Sequence, residues 1–392
     1  IRAIRRTKIG MEYYERGIAR IEDRWAGAGW DGRDFAPKDH PYAEDLDLFG
    51  PGSLFQLLCT AHTRSGAKTL ADWLCAPAPP DEIRARQEAV EELRPRIDLR
   101  EELAHHGHGM QTKVFPEAIA FWASASPELS AGKKAALAYA LSVATLLSIA
   151  VLALGASALP FTICVIALLI LHASTRRSMQ KVLASAEEPS RELAVVRGVL
   201  ARLELERFSD ACLLRLQQDL REGQRPASAV IARLQRLLTM REASLNMLFG
   251  PISFVLMWDF HLARAIDGWR CAYGPSVSRW IDAVGRLEAL CSLASYAYEH
   301  PADPFPAIID NGPLFEGKGL GHPLLSARGC VRNDVTLDGQ RRLLIVSGSN
   351  MSGKTVLLRT VGVNVVLASA GAPVRAEALK LSSLEVGATL NV

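Results

Sequence analysis

The sequence lacks an excess of either charge, lacks a cysteine framework and, over one long stretch, lacks charge altogether. Its 45 basic and 42 acidic residues leave a formal net charge of +3 across 392 residues. That is too little to argue for nucleic acid on charge alone, so any such contact must be local. Cys59, Cys75, Cys164, Cys212, Cys271, Cys291 and Cys330 show neither C-x-x-C spacing nor pairing with histidines. They support neither a zinc site nor a disulfide framework, and read as buried thiols in a reducing compartment. No cleavable signal pattern is present and the first residue is Ile1, as expected of a fragment. Nothing supports a Ser/His/Asp or Cys/His nucleophile. The length suits two or three domains.

The charge-free stretch is Ala135 to Ser174, forty residues without Asp, Glu, Lys or Arg. As one helix it would measure about 60 Å, roughly twice the hydrocarbon thickness of a bilayer. Two spans fit better, since Gly155-Ala156-Ser157 and Pro160 divide the run into about 135–154 and 158–174. Lys133 and Lys134 flank one end and Arg176, Arg177 and Lys181 the other. A hairpin leaves these charges on one side, which should be cytoplasmic. The expectation is a transmembrane helical hairpin at 135–174 in a bacterial-type inner membrane, with the remaining domains on the cytoplasmic side.

Around it the pattern is mainly α-helical. Residues 1–41 read as a peripheral segment with a short helix near Tyr13 to Trp25. From Pro41 to Ser130 the pattern is helical, with Leu54, Leu57 and Leu58 on one face. Asp81-Glu82 after Pro79-Pro80 predicts a helix start. Residues 176–300 return to long helices, such as Ser190 to Arg207 and Ala227 to Arg241. Leu245 to Trp258 is also uncharged, but it is short and contains Gly250-Pro251, so it reads as buried rather than membrane-spanning. After the proline-rich segment at 301–306, short β-branched runs alternate with Gly turns from Ile308 onward. They read as the start of an α/β domain. The domains expected are thus 1–41, a helical core at 42–300 interrupted by the hairpin, and 301–392.

The most specific motif lies in that last part. Leu343 to Val346 predicts a β-strand, Gly348 to Thr355 matches G-x-x-x-x-G-K-T, and a helix is expected from about Lys354 to Ser369. Such a loop turns backbone N–H groups onto phosphates. Lys354 reaches the β/γ oxygens, Thr355 places its hydroxyl on Mg²⁺, and the helix adds the positive end of its dipole. The pattern points to a nucleoside triphosphate, with ATP and Mg²⁺ expected.

The stretch Gly348 to Ala376 resembles the ATPase domain of the MutS family of DNA mismatch-repair proteins, through Asn350-Met351, Arg359 and Gly371-Ala372-Pro373-Val374. Gly321-His322-Pro323-Leu324 and Asn333-Asp334-Val335 are similar to elements of the same domain. Leu48-Phe49-Gly50, Gly52 to Leu58, Gly66, Leu70, Trp73-Leu74, Pro77 and Arg86 to Val90 are similar to the family's helical core and lever region. The resemblance covers about 42–130 and 176–392. It implies an ABC-type P-loop ATPase that forms a homodimer with nucleotide between protomers, and long helices that act as levers and a clamp on DNA. By residue match, Gly348, Ser349, Asn350, Met351, Ser352, Gly353, Lys354 and Thr355 would bind the nucleotide, with Mg²⁺ on Thr355. Lys354 and Asn350 would be catalytic, Asn350 orienting the attacking water or the γ-phosphate. Val331, with Cys330, stands where the family usually places an aromatic against adenine, which implies weaker base stacking.

The departures shape the functional expectation. No segment before residue 42 is long enough for the mismatch-reading and connector domains, so DNA binding is expected to follow structure rather than sequence. The hairpin resembles the membrane-attached MutS-like branch found in bacteria. The sequence stops at Val392 before a Walker B acid or signature loop, so the resemblance implies hydrolysis by the complete protein and ATP binding alone by this stretch. The alternative is a membrane scaffold in which ATP is an assembly ligand and DNA plays no part. His105, His106 and His108 lack the i, i+4 spacing of a helical metal site and read as a solvated turn. His322 is expected to shape its loop. The basic runs Arg2-Arg5-Arg6-Lys8 and Arg215 to Arg241 read mainly as solvated helix faces.

Overall fold

The computed structural model describes residues 2–107, 116–129, 132–155, 157–222, 225–244, 249–326, 328–349 and 353–389. The helices are α1 (Arg2–Ile21), α2 (Leu54–Leu58), α3 (Arg64–Cys75), α4 (Pro80–Leu93), α5 (Ile97–Gly107), α6 (Pro116–Ser124), α7 (Lys133–Ala153), α8 (Leu159–Leu205), α9 (Ala211–Asp219), α10 (Ala227–Ser244), α11 (Gly250–Val255), α12 (Trp258–Glu299) and α13 (Lys354–Ala370). The strands are β1 (Arg221–Glu222), β2 (Arg225–Pro226), β3 (Ala307–Ile309), β4 (Phe315–Leu320), β5 (Asn333–Leu337) and β6 (Ala378–Ser382). The fold is mainly helical, as expected. It divides into one unit of residues 1–111, 202–219 and 282–392 and a second of 112–201 and 220–281.

In the first unit, local signals start the helices. Ser53 caps α2 by accepting from Gln56 N, and Thr63 caps α3 by accepting from Gly66 N. Pro80 opens α4 with Asp81 and Glu82 in its first turn, where carboxylates favour the helix dipole. Leu54, Leu58, Leu70, Leu74 and Leu93 are buried with Leu287, Leu290 and Leu293 of α12. Each such side chain contributes about 1.5–3 kcal/mol by leaving water. Glu288 is buried with them. Its carboxylate accepts from Thr63 Oγ1, from Thr63 N at 3.1 Å and from His62 N at 3.2 Å. Burial nevertheless raises its pKa, against those hydrogen bonds. A Cβ on Gly66 would lie 2.2 Å from Glu288 Oε2, so glycine lets this contact close.

The N-terminal segment departs from the peripheral reading. Its helix spans Arg2–Ile21 rather than starting near Tyr13, and Arg20 forks onto Glu299 with bonds of 2.7 and 2.6 Å. Ile9 and Trp25 are buried. A charged stretch looks peripheral in sequence, but α1 packs against α5, where Tyr14 Oη donates to Glu101 at 2.8 Å.

The same unit contains a mixed sheet in the order β3-β6-β4-β5. β3 and β6 run parallel, and β4 is antiparallel to both β6 and β5. α13 buries an unbroken run from Val363 to Ala370 and packs on α3 and α4. Gln87 Nε2 of α4 donates to Pro306 O at 3.1 Å, just ahead of β3. The strand expected at Leu343 to Val346 is absent. These residues carry no strand pairing, and Leu343, Leu344 and Ile345 are exposed. β-branched residues supply propensity, but a strand needs a partner, and among the described residues this segment pairs with neither edge strand, β3 or β5.

In the second unit, α7 and α8 are both long and apolar enough to cross a membrane. Leu137, Val143, Leu147, Ile163, Ile166 and Ile170 are exposed. The break falls between Ala153 and Leu159, as Gly155 and Pro160 suggested. α8 does not end at 174. It continues through the charged stretch to Leu205 and carries Pro189 within it, because nothing after Ser174 caps or turns the chain. Ahead of α7, Asp267 Oδ2 accepts from Glu128 N and Leu129 N at 3.0 and 2.9 Å, and Arg270 donates to Ala125 O and Ser126 O at 2.7 and 3.1 Å. The buried reading of Leu245 to Trp258 holds for Met257, whereas Gly250, Pro251 and Ile252 are exposed and the other described residues are half-buried. Residues 245–248 lie outside the described residues, and α11 buries none of its residues, with Ile252 51% exposed. The cysteine reading holds for Cys291, which burial pushes up to about 12, but Cys271 is exposed.

Candidate functional site

The loop that the motif singles out meets α13 at Gly353. This residue precedes the helix with φ of 86°, the left-handed region that glycine occupies without the clash of a Cβ. Lys354 follows as the first helical residue. Its Nζ donates to Gly348 O at 2.5 Å and Ser349 O at 2.7 Å, so the ammonium spans the loop from inside. Thr355 is exposed in the first turn. The positive end of the helix dipole and the lysine together concentrate positive charge at this end of α13. Asn350, Met351 and Ser352 lie outside the described residues.

Behind the loop, α13 is fixed by a residue that motif reading passed over. Asn364 is fully buried. It donates to Gly321 O at 3.0 Å and Thr360 O at 2.8 Å, and it accepts from Arg375 N at 2.8 Å. One amide therefore joins the helix to the 321–324 turn and to the residues leading into β6. A lone asparagine inside the run Val361 to Ala368 was the available signal, because a buried amide requires partners.

The 321–324 turn is built as expected of His322. His322 Nδ1 accepts from Leu324 N at 3.3 Å, and its backbone N–H points to Cys330 Sγ at 3.2 Å. Burial, with Arg359 beside it, lowers the pKa of this imidazole. That favours the neutral ring, which accepts at Nδ1. Arg359 itself donates to Asp47 at 2.5 Å. Val331 is 80% exposed, and its carbonyl accepts from Asn333 Nδ2 at 3.3 Å. Among the described residues it takes no part in the hydrogen bonds of the Gly348 to Lys354 loop.

Other candidates resolve into structure. His105 and His106 lie on α5 rather than in a turn, and His105 Nε2 contacts Glu101 at 3.2 Å. His108 lies outside the described residues. No group of three His, Cys, Asp or Glu able to hold a metal occurs among the described residues. Of the basic runs, Arg6 pairs with Glu102 at 3.7 Å and Arg241 with Glu187.

A family model described as MutS domain III matches residues 43–112. DNA mismatch repair protein MutS 2 of Halobacterium salinarum is 39% identical over 104 residues, which are 26% of this chain and 12% of that protein. Endonuclease MutS2 of Thermus thermophilus is 36% identical over 108 residues, 28% of this chain and 14% of the relative. DNA mismatch repair protein MutS of Symbiobacterium thermophilum is 33% identical over 118 residues, again 28% of this chain and 13% of the relative. The matched stretches thus span about an eighth of the length of these relatives.

Proposed function

Because the chain belongs to the MutS family, we propose that it is a membrane-tethered member that uses ATP at residues 348–355 to move its helical levers and engage DNA or a partner. The observation that carries this reading is Lys354, poised between the loop carbonyls at the positive end of a helix that packs on the domain III elements α3 and α4. A triphosphate entering this cradle exchanges the two carbonyl partners of Lys354 for β/γ oxygens and takes the free amides of the first turn. Gly353 keeps the backbone close enough for that approach. Thr355, exposed in the same turn, would hold Mg²⁺, which supplies charge neutralisation on the phosphates. Asn350 would orient water or the γ-phosphate. Hydrolysis would be phosphoryl transfer to water, with a second protomer completing the site.

Tethering is supported by the exposed apolar surface of α7 and α8, with Lys134 at the start of one helix and Arg176 and Arg177 beyond the apolar half of the other. By the excess of basic residues in cytoplasmic loops, these basic ends would lie on the cytoplasmic side. The relatives whose names refer to DNA mismatch repair motivate the DNA arm of the proposal.

Lys354→Ala should weaken ATP binding roughly 10–100-fold, the loss expected when charged hydrogen bonds to phosphate are removed. Unchanged affinity by calorimetry overturns the ATP assignment. The DNA arm is tested by anisotropy titration of the detergent-solubilised protein with branched, mismatched and perfect duplexes at two salt concentrations, with and without ATP. Binding that ATP modulates and salt weakens supports a tethered clamp. ATP affinity without any DNA binding supports the scaffold alternative.

A further inference from the structure

We infer that the segment from Phe249 to Trp258, built around α11, lies in the membrane interface beside the hairpin as a third lipid contact. The inference rests on the membrane reading of α7 and α8. Between Glu242 and Asp259 no residue carries a charge. The described part of that stretch leaves Gly250, Pro251 and Ile252 exposed, while its other side faces the hairpin. α11 packs against α7, and the Phe254 ring lies 5.9 Å from that of His172 on α8. Just past the segment, the His261 ring of α12 lies 4.2 Å from that of Tyr139 on α7, a residue that is 57% exposed.

These two ring contacts set a depth. Tyr139 stands five residues inside Lys134, and His172 stands four residues before Arg176. At the helical rise both contacts fall about 6–8 Å inside the basic ends of the hairpin. Interfacial helices bury their apolar face about 5–10 Å into the boundary between headgroups and acyl chains. Phe249 and Trp258, with ring centroids 5.7 Å apart, and Tyr139 supply the aromatic residues that favour this level.

The backbone holds the segment there deliberately. Met257 adopts φ of 50°, a left-handed conformation uncommon for a non-glycine residue, and it is buried. That turn keeps α11 from continuing into α12. It ends the six-residue helix where it contacts α7 and keeps it out of the long helix. Continuity with the exposed apolar side chains of α7 and α8 selects lipid as the occupant of this face.

The test uses the full chain in vesicles of phosphatidylcholine and phosphatidylglycerol, with a fluorescent amino acid in place of Ile252, Val143 or Leu205. Lipids carry a nitroxide either near the headgroup or near the acyl terminus. Position 252 should be quenched at least about twofold more steeply by the shallow nitroxide than by the deep one, position 143 the reverse, and position 205 by neither. The same shallow preference at Phe249 removes dependence on one substituted site. Quenching at 143 without quenching at 252 and 249 overturns the inference and leaves the hairpin reading intact. No quenching at 143 overturns both, and stronger deep quenching at 252 overturns the shallow placement.

Discussion

Helices α7 and α13 are both rich in apolar residues, yet the buried amide of one and the buried hydroxyls of the other find their partners in different places. In α13 the side chain of Asn364 leaves the helix and bonds to Gly321 O and Arg375 N on other segments. In α7, Thr145 donates to Leu141 O and Ser148 to Thr145 O, both at 2.7 Å within the same helix. A helix surrounded by protein finds outside partners for a buried amide. The hydroxyls of Thr145 and Ser148 are buried too, but their short side chains reach the carbonyls of their own helix. Bond direction follows the side chain: on α13 itself the Thr360 hydroxyl also bonds within its helix, to Val356 O at 2.7 Å, so it is the longer amide that ties the helix to other segments.

The comparison breaks most visibly at Asn364. Replacing it with Leu leaves the Arg375 amide and the Gly321 carbonyl buried without their partner. The expected cost is about 2–5 kcal/mol, read as a lower urea midpoint in detergent, with faster hydrogen exchange at the Arg375 amide. A change below the scatter of the measurement would mean that the site relaxes around water. In α7 the contrasting substitution is Leu147→Arg, on the exposed face. If that face meets lipid, insertion loses about 2.5–3.5 kcal/mol and less protein survives carbonate extraction of membranes. Unchanged extraction would show that the face is not in hydrocarbon.

A gentler effect concerns the buried acid of the first unit. Burial raises the Glu288 pKa above its ordinary 4.5, so the folded chain binds this proton more tightly than the unfolded chain. The stability it lends is complete below about pH 4.5 and declines as the pH rises through the raised value. Glu288→Gln should flatten that part of the Tm profile, and an identical slope in both proteins would place the titration elsewhere. The smallest change is expected for Thr145→Val, which removes a hydroxyl bonded only to its own helix and should shift stability in detergent by less than about 1 kcal/mol. A loss as large as that at Asn364 would erase the distinction between the two helices.

Much of this architecture was legible in sequence where the signal is local. Pro80 with Asp81 and Glu82 starts α4, Gly155 marks the break between α7 and α8, and Gly353 and Lys354 stand at the turn and first helical residue that the motif spacing dictates. What escaped depends on distant partners. Arg20 meets Glu299 across 279 residues, so nothing near α1 announces that it is docked. Leu343 to Val346 has the composition of a strand but pairs with none of the four strands. The segment around α11 looked buried because short apolar runs usually are, and it is so at Met257 but not at Ile252. Asn364 stood in view inside the apolar run, but its partners at Gly321 and Arg375 are brought to it only by the fold.

Lys181 pairs with Glu128, joining the residues just after the apolar half of α8 to those just before α7. Asp267 and Arg270 hold that same lead-in to α12. The intervening chain is therefore an excursion whose two ends already meet, so joining them directly adds little loop-closure entropy. Excising 132–176 behind a short Gly/Ser bridge should preserve the rest of the second unit, provided Ile252 and Phe254 are made polar at the same time. Such a closed detour is the kind of segment a lineage gains or loses in one step, since the surrounding scaffold does not have to be rebuilt to accommodate it.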